Sequence, residues 1–265
     1  MIDLGLTGKR VMVAGAGHRP PRPGIGRETA KKFAAAGARV ACVDVDQGRA
    51  QAIADELTAS GAEAIAVVGD LLQRTEVQRV VDNVVAAFGG IDVCVDIIGQ
   101  ARWNTVLDFT EEDWDWSMDV NLRQVFFIFQ TVAKQMLQQG TGGSLAAVAS
   151  VDGVLSAPFH VGYGAAKSGV IHIMKTFAEE LGEHGIRANA VAPGAVWTEE
   201  MGQPRSDAQT KQRRPGPDDI ANGLLFFSSS LAASVTGQVL CVDGGASTKG
   251  AWGWGPEHMD LVRGR

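Results

Sequence analysis

Tyr163 is the only tyrosine in the 265 residues, and Lys167 follows it four positions later with Gly164, Ala165 and Ala166 between them. On a helix, positions i and i+4 lie on one face, one above the other. A phenol beside an ammonium is an acid/base device, because a nearby cation favours the phenolate. The three small residues leave that face open to a ligand. The same spacing also describes an ordinary amphipathic helix surface, so the chemistry needs support from elsewhere in the chain.

Support comes first from a glycine loop, Gly15, Gly17, Gly24, Ile25 and Gly26, placed after the apolar run V-M-V-A at residues 11–14 and before a helical pattern. Glycines let the backbone approach a pyrophosphate, and a helix start at Ile25 offers free N–H groups and a positive dipole end. A strand before and a helix after is the context a dinucleotide loop requires. Asp44 ends the next apolar run, where a carboxylate would accept hydrogen bonds from an adenine-ribose diol and repel a 2′-phosphate. That favours NAD over NADP. Arg19 and Arg22 stand in the same stretched loop, either as phosphate partners or as solvated surface.

These residues need a scaffold, and the chain supplies an alternation. Strands are expected at residues 11–14, 39–45, 64–68, 91–98, 144–149, 186–192 and 238–242. Helices are expected at 27–36, 47–60, 74–88, 111–139, 161–183 and from Pro217 to about Ser230. Apolar strands alternating with helices of ten or more residues predict parallel βαβ units covered on both faces. The fold class is therefore α/β: one doubly wound Rossmann-type domain over residues 1–265, with about seven parallel strands. Thr110 is the expected N-cap of the 111–139 helix, whose middle, V-F-F-I-F, is apolar nearly all round and suggests burial against the sheet and against a partner subunit.

Composition narrows the class further. A net charge of −6 argues against a nucleic-acid or anionic-membrane partner. No apolar run reaches membrane-spanning length, and the first ten residues lack the apolar core of a signal peptide. Cys42, Cys94 and Cys241 are widely spaced in apolar runs, which fits buried thiols in a reducing cytoplasm. No His/Cys cluster has metal-ligand spacing, so no bound metal is expected.

Taken jointly, Gly15 with Gly24-Ile25-Gly26, Asp70, Asn121 in V-N-L, Ser150, Y-G-A-A-K, Pro193-Gly194 and V-D-G-G at 242–245 resemble the classical short-chain dehydrogenases/reductases, over residues 8–246. Ser150 lies thirteen positions before Tyr163, the family's usual spacing. The resemblance implies that Tyr163 is the general acid/base and that Lys167 lowers its pKa and binds the nicotinamide ribose. It implies that Ser150 holds the substrate oxygen and Asn121 a water of the proton relay. Asp70 and Leu71 would contact adenine, Val45 would stand beside Asp44, and Ile98 and Gly99 would pack by the adenosine ribose. Pro193, Gly194, Val196 and Thr198 would seat the nicotinamide. The chain departs from the family pattern in an insertion at 19–23, in Ala14 for a threonine, and in Asp96-Ile97-Ile98-Gly99 for Asn-Asn-Ala-Gly.

The substrate pocket is expected from Arg102, Trp103, Asp152, Phe159, His160, Trp197 and Met201, with a loop over about 197–216 beside it. The bulky apolar members favour an apolar or alicyclic alcohol or ketone. The expectation is thus an NAD-dependent secondary-alcohol oxidoreductase, a homo-oligomer (tetramer or dimer) by resemblance. The alternatives are an NADPH-dependent ketone or 3-oxoacyl reductase and a catalytically silent nucleotide-binding scaffold or sensor. The tail at 246–265, with Trp252 and Trp254 among glycines, has no assigned role.

Overall fold

The computed structural model describes residues 2–20, 24–197 and 214–248. Its strands are β1 (Arg10–Ala14), β2 (Arg39–Asp44), β3 (Ala64–Val68), β4 (Val93–Asp96), β5 (Gly143–Val148), β6 (Ile186–Pro193) and β7 (Val239–Val242). Its helices are α1 (Ile25–Ala35), α2 (Gln47–Ala59), α3 (Arg74–Phe88), α4 (Glu111–Met118), α5 (Gln124–Gln139), α6 (Val161–Leu181) and α7 (Pro217–Ser228). The strands form one sheet in the order β3-β2-β1-β4-β5-β6-β7, and every pairing is parallel. The seven-stranded doubly wound α/β expectation is met.

Alternate residues of each strand feed two cores, one on each face of the sheet. Val11, Val13, Val40 and Cys42 pack with Phe33 of α1, Ile53 and Leu57 of α2, and Leu224 and Phe227 of α7. Met12, Ala41, Val43 and Cys94 pack on the other side with Val80 and Val84 of α3, Ile128 and Phe129 of α5, and Val170 and Met174 of α6. Burial on both faces is why the central strands read as unbroken apolar runs. Cys42 and Cys94 are buried as expected, whereas Cys241, on the edge strand β7, is only partly covered.

The expected 111–139 helix is interrupted. After α4 the backbone makes a π turn, Asp119–Arg123, before α5 resumes the regular pitch. The extra residue turns Asn121 inward. Its Nδ2 donates to the carbonyls of Gln100 (2.8 Å) and Ser117 (3.0 Å), and its Oδ1 accepts from the Gln100 N–H at 2.9 Å. Periodicity alone does not register such a bulge, since the apolar pattern resumes on the far side. Thr110 caps α4 as expected, accepting from the Asp113 N–H at 3.1 Å.

The order of the sheet puts a switch point between β1 and β4, where successive crossovers leave in opposite directions. Open parallel sheets bind ligands in the crevice at the carboxyl ends of the strands beside such a point. Ala14 and Asp96 are register partners there. No helix among the described residues is long and apolar enough to cross a membrane.

Candidate active site

A cleft of about 430 Å³ opens at the carboxyl ends of β1, β2 and β4, lined among others by Gly15, Gly17, Asp44, Asp70, Gly99 and Trp116. Its floor depends on missing side chains. A Cβ on Gly26 would run into the Gly15 carbonyl, and Gly15 itself holds φ +82° with Ile98 packed 3.0 Å from where its Cβ would be. Helix α1 starts at Ile25 behind Gly24, which makes no side-chain cap bond, so the first turn keeps N–H groups to offer an anion. Val45 is exposed at the rim, and Leu71 is buried beneath it. Asp70 accepts a hydrogen bond from the Leu72 N–H at 3.1 Å. An anion-binding helix start, a glycine floor and a carboxylate at the end of β2 together fit a dinucleotide.

Asp44 already has protein partners. Its Oδ2 accepts from the Gly17 N–H at 3.1 Å, and its Oδ1 accepts from Arg49 through Nη2 (2.7 Å) and Nε (3.1 Å). Arg49 was not among the residues the sequence singled out. The available signal was its place three residues after Asp46, which caps α2 by accepting from the Arg49 N–H at 2.8 Å. Arg19 lines the cleft, while Arg22 lies outside the described residues.

At the inner end of the cleft the acid/base residues converge. Ser150 follows β5 in an extended conformation and is buried, and its hydroxyl oxygen accepts from the Asp152 N–H at 3.1 Å. Tyr163 stands in the first turn of α6, with Lys167 one turn on. The Lys167 side chain is buried, and its Nζ donates to the Val148 carbonyl at 2.7 Å. A Cβ on Gly99 would lie 3.0 Å from that Nζ and 3.1 Å from Asn121 Oδ1, so a larger residue there would press on both side chains.

Burial dominates the electrostatics of the pair. Burial pushes the Tyr163 phenol up to about 12, the hydrogen bond with Ser150 pulls it down, and the charge of Asp152 adds to the rise. The Lys167 ammonium lies 5.8 Å from the tyrosine ring centroid and donates to the Val148 carbonyl. Burial in turn pulls Lys167 down to about 8, against the charge of Asp96.

On the substrate side, His160 Nδ1 pairs with Asp152 Oδ2, and the ring stands edge-on to Trp103 with centroids 4.0 Å apart. The ring centroids of His160 and Tyr163 are 6.1 Å apart. Phe159 is exposed in a left-handed conformation, φ 69°, and Val154 and Leu155 are about half exposed. Arg102 bonds Asp113 at 2.7 Å and stacks on Trp116 at 4.3 Å. Pro193 ends β6, and a Cβ on Gly194 would sit 2.8 Å from that of Asp243. Val196 packs partly buried against the α1/α7 core, and the Trp197 N–H donates to the Pro215 carbonyl at 3.0 Å. Thr198 and Met201, most of the 197–216 loop, residues 21–23 and the tail beyond Thr248 lie outside the described residues. No group of three or more potential metal ligands occurs among the described residues.

A family model described as enoyl-(acyl carrier protein) reductase matches residues 21–247. An L-rhamnose 1-dehydrogenase (NAD(P)(+)) from Sphingomonas is 36% identical over 91% of this chain and 96% of its own length. A D-threitol dehydrogenase from Mycolicibacterium smegmatis is 36% identical over 93% and 96%, and a 3-oxoacyl-[acyl-carrier-protein] reductase from Staphylococcus epidermidis is 36% identical over 89% and 98%. Among solved structures, a short-chain dehydrogenase/reductase from Burkholderia xenovorans superposes with a TM-score of 0.85 at 31% identity, covering 92% of this chain and 98% of that one. The chain belongs to the short-chain dehydrogenase/reductase family. It is an NAD(P)-dependent oxidoreductase.

Proposed function

We propose that this chain, one α/β domain, interconverts a secondary alcohol and a ketone with NAD, on a largely apolar or alicyclic frame. The observation that carries the reading is the grouping of Ser150, Tyr163 and Lys167 with Asn121 and with Gly99, which lines the cleft. When bound, the nicotinamide supplies the hydride acceptor for oxidation and a positive charge beside the site. Tyr163 takes the alcohol's hydroxyl proton as the carbinol hydrogen departs with its electron pair, and returns a proton in the reverse direction. Ser150 donates to the same oxygen. The Asn121 side chain is committed to Gln100 and Ser117, so its main-chain carbonyl in the π turn is the group left to hold a relay water. Positioning of donor and acceptor supplies much of the rate. A panel of alicyclic, aliphatic and steroid alcohols with NAD+, followed by absorbance of the reduced cofactor, tests it; turnover of charged polyols alone would refute the substrate class.

The NAD preference rests on Asp44, and the counterargument on Arg49 and Arg19 beside it. Comparing Kd for NADH and NADPH decides between them. The His160–Asp152 pair supports a second reading, a polyhydroxylated substrate, which relatives described as rhamnose and threitol dehydrogenases also favour. We also infer a cytoplasmic homo-oligomer: Phe126 and Leu137 on α5 are exposed, and with Ile173 and Phe177 of α6 they make an apolar face suited to a second copy. Sedimentation of the purified protein tests that.

A further inference from the structure

Asp96 is a buried carboxylate for which the proposed mechanism has no use. It is 1% exposed, at the last position of β4, beside Ala14 of β1 and Ala147 of β5 in register. Its Oδ2 accepts from Gln124 Nε2 at 3.0 Å and its Oδ1 from the Ile98 N–H at 3.3 Å. Lys167 is equally enclosed, and the Val148 carbonyl, one residue beyond Asp96's partner on β5, is its hydrogen-bond acceptor. A buried ammonium is stable only if its charge is compensated, and a single carbonyl dipole compensates it poorly.

We propose that Asp96 is the counter-ion of Lys167, a positioning residue that keeps the ammonium charged where Tyr163 needs it. The groups around the pair support this. Lys167 on α6 is the cation coupled to Asp96, α5 presents the neutral amide of Gln124, and Cys94 on its own strand carries a thiol that burial holds protonated. The sheet neighbours Ala14 and Ala147 carry no charge. Facing Lys167 are Tyr163 on its own helix, the Asn121 amide and the Val148 carbonyl. Asp96 is thus the negative charge coupled to Lys167, and the attraction is felt at both ends: burial pushes the Asp96 carboxyl up to about 6, opposed by Gln124 and Lys167. Gln124 lies three residues after Asn121, so the π turn that aims one amide at Gln100 aims the next at Asp96.

This inference rests on the Tyr163–Lys167 reading, and the test separates the two. The pH profile of kcat/KM for alcohol oxidation is measured for the wild type, Asp96→Asn, Gln124→Met and Tyr163→Phe, with thermal melts of each. Without its counter-ion Lys167 gives up its proton more readily, and the tyrosine then deprotonates only at higher pH. Asp96→Asn is expected to move the rising limb at least about one pH unit upward, a roughly tenfold loss below the midpoint. Gln124→Met is expected to move it the same way by less, because an Asp96 without that hydrogen bond is more easily protonated, and it gives the answer if Asp96→Asn does not fold. A loss equal at every pH, or no displacement in either variant, overturns the inference. Retained turnover in Tyr163→Phe overturns the underlying reading instead.

Discussion

Lys167 passes Tyr163 rather than pointing at it: its Nζ is 2.7 Å from the Val148 carbonyl and 5.8 Å from the centre of the tyrosine ring. The two residues share a helix face, yet the protein's own groups hold the phenol at about 12, where it is a poor base near neutrality. Lowering it falls to Lys167, to Ser150 and to the positive charge that an oxidised nicotinamide brings. Because Tyr163 is the sole tyrosine, phenolate absorbance reads it directly. The protein alone is expected to show no phenolate below about pH 11, and saturating NAD+ to bring the transition down by at least about one unit. An unshifted titration with NAD+ bound would exclude this division of labour.

Tyr163→Phe keeps the ring's packing and removes the proton acceptor. Turnover should fall by about 10²–10⁴, the usual worth of a positioned acid/base, while NADH affinity stays within a few-fold. Steady-state kinetics and cofactor titration check both halves. The same variant separates an enzyme from a silent nucleotide-binding scaffold, for which wild type and variant would be alike.

Much of this was legible in the chain, for reasons tied to particular residues. Apolar runs such as V-M-V-A mark strands buried on both faces, and Ala30, Phe33 and Ala34 fall on the buried side of α1 as their spacing predicts. The glycine floor was legible because Gly26 admits no substitute beside the Gly15 carbonyl. What escaped was the aim of long side chains, which tertiary packing sets. Arg49 folding back on Asp44, Arg102 turned to Asp113 and Lys167 turned to Val148 leave no local trace. The π turn escaped because one extra residue barely disturbs the helical period.

The proposed NAD preference turns on the balance between Asp44 and Arg49. Asp44→Ser removes the acceptor for a ribose diol and frees Arg49 for a 2′-phosphate. NADH binding is expected to weaken by about 1.5–3 kcal/mol, the worth of hydrogen bonds to a charged group, while NADPH binding strengthens. Arg49→Ala should move the ratio the other way. Calorimetric titration of both cofactors gives the four Kd values.

Gly26→Ala places a methyl against the Gly15 carbonyl, so either the loop or the start of α1 must shift. The expected result is loss of cofactor binding of at least about tenfold, since the N–H groups at the helix start no longer meet the pyrophosphate. Gly61→Ala is a useful contrast: Gly61 has positive φ, +89°, but nothing lies near its Cβ. It should cost about 1 kcal/mol of stability from backbone strain and leave cofactor affinity unchanged.

Far from the cleft, Asp92 accepts from Arg10 at its main-chain N–H (2.8 Å), Nε (2.8 Å) and Nη2 (2.7 Å), tying β1 to the start of β4. Burial pushes this carboxyl up, but the bonds and charge of Arg10 outweigh it and hold the group below its ordinary value. A carboxyl depressed in the folded state contributes stability above its unfolded pKa, and that contribution is lost as pH falls through the folded pKa. Asp92→Asn is expected to lower stability by about 1–3 kcal/mol near pH 7. The gap to wild type should close below about pH 4, in denaturant titrations at stepped pH.

The His160–Asp152 pair divides the two substrate readings. His160 Nε2 is buried with no hydrogen-bond partner among the described residues, while Nδ1 is held by Asp152. If a hydroxylated substrate is the true one, that nitrogen bonds a hydroxyl near the reacting carbon, and His160→Leu leaves the hydroxyl without its partner. The expected loss in kcat/KM is then about 10–100-fold on polyols, with alicyclic monoalcohols unchanged or improved. If an apolar frame is the true substrate, the order reverses: the leucine adds apolar surface beside Trp103, and the monoalcohols gain while polyols remain unused. Parallel kcat/KM values for the two substrate classes, in wild type and variant, decide it. Equal losses on both would mean that His160 acts by holding the Ser150–Tyr163 segment in place and selects neither class.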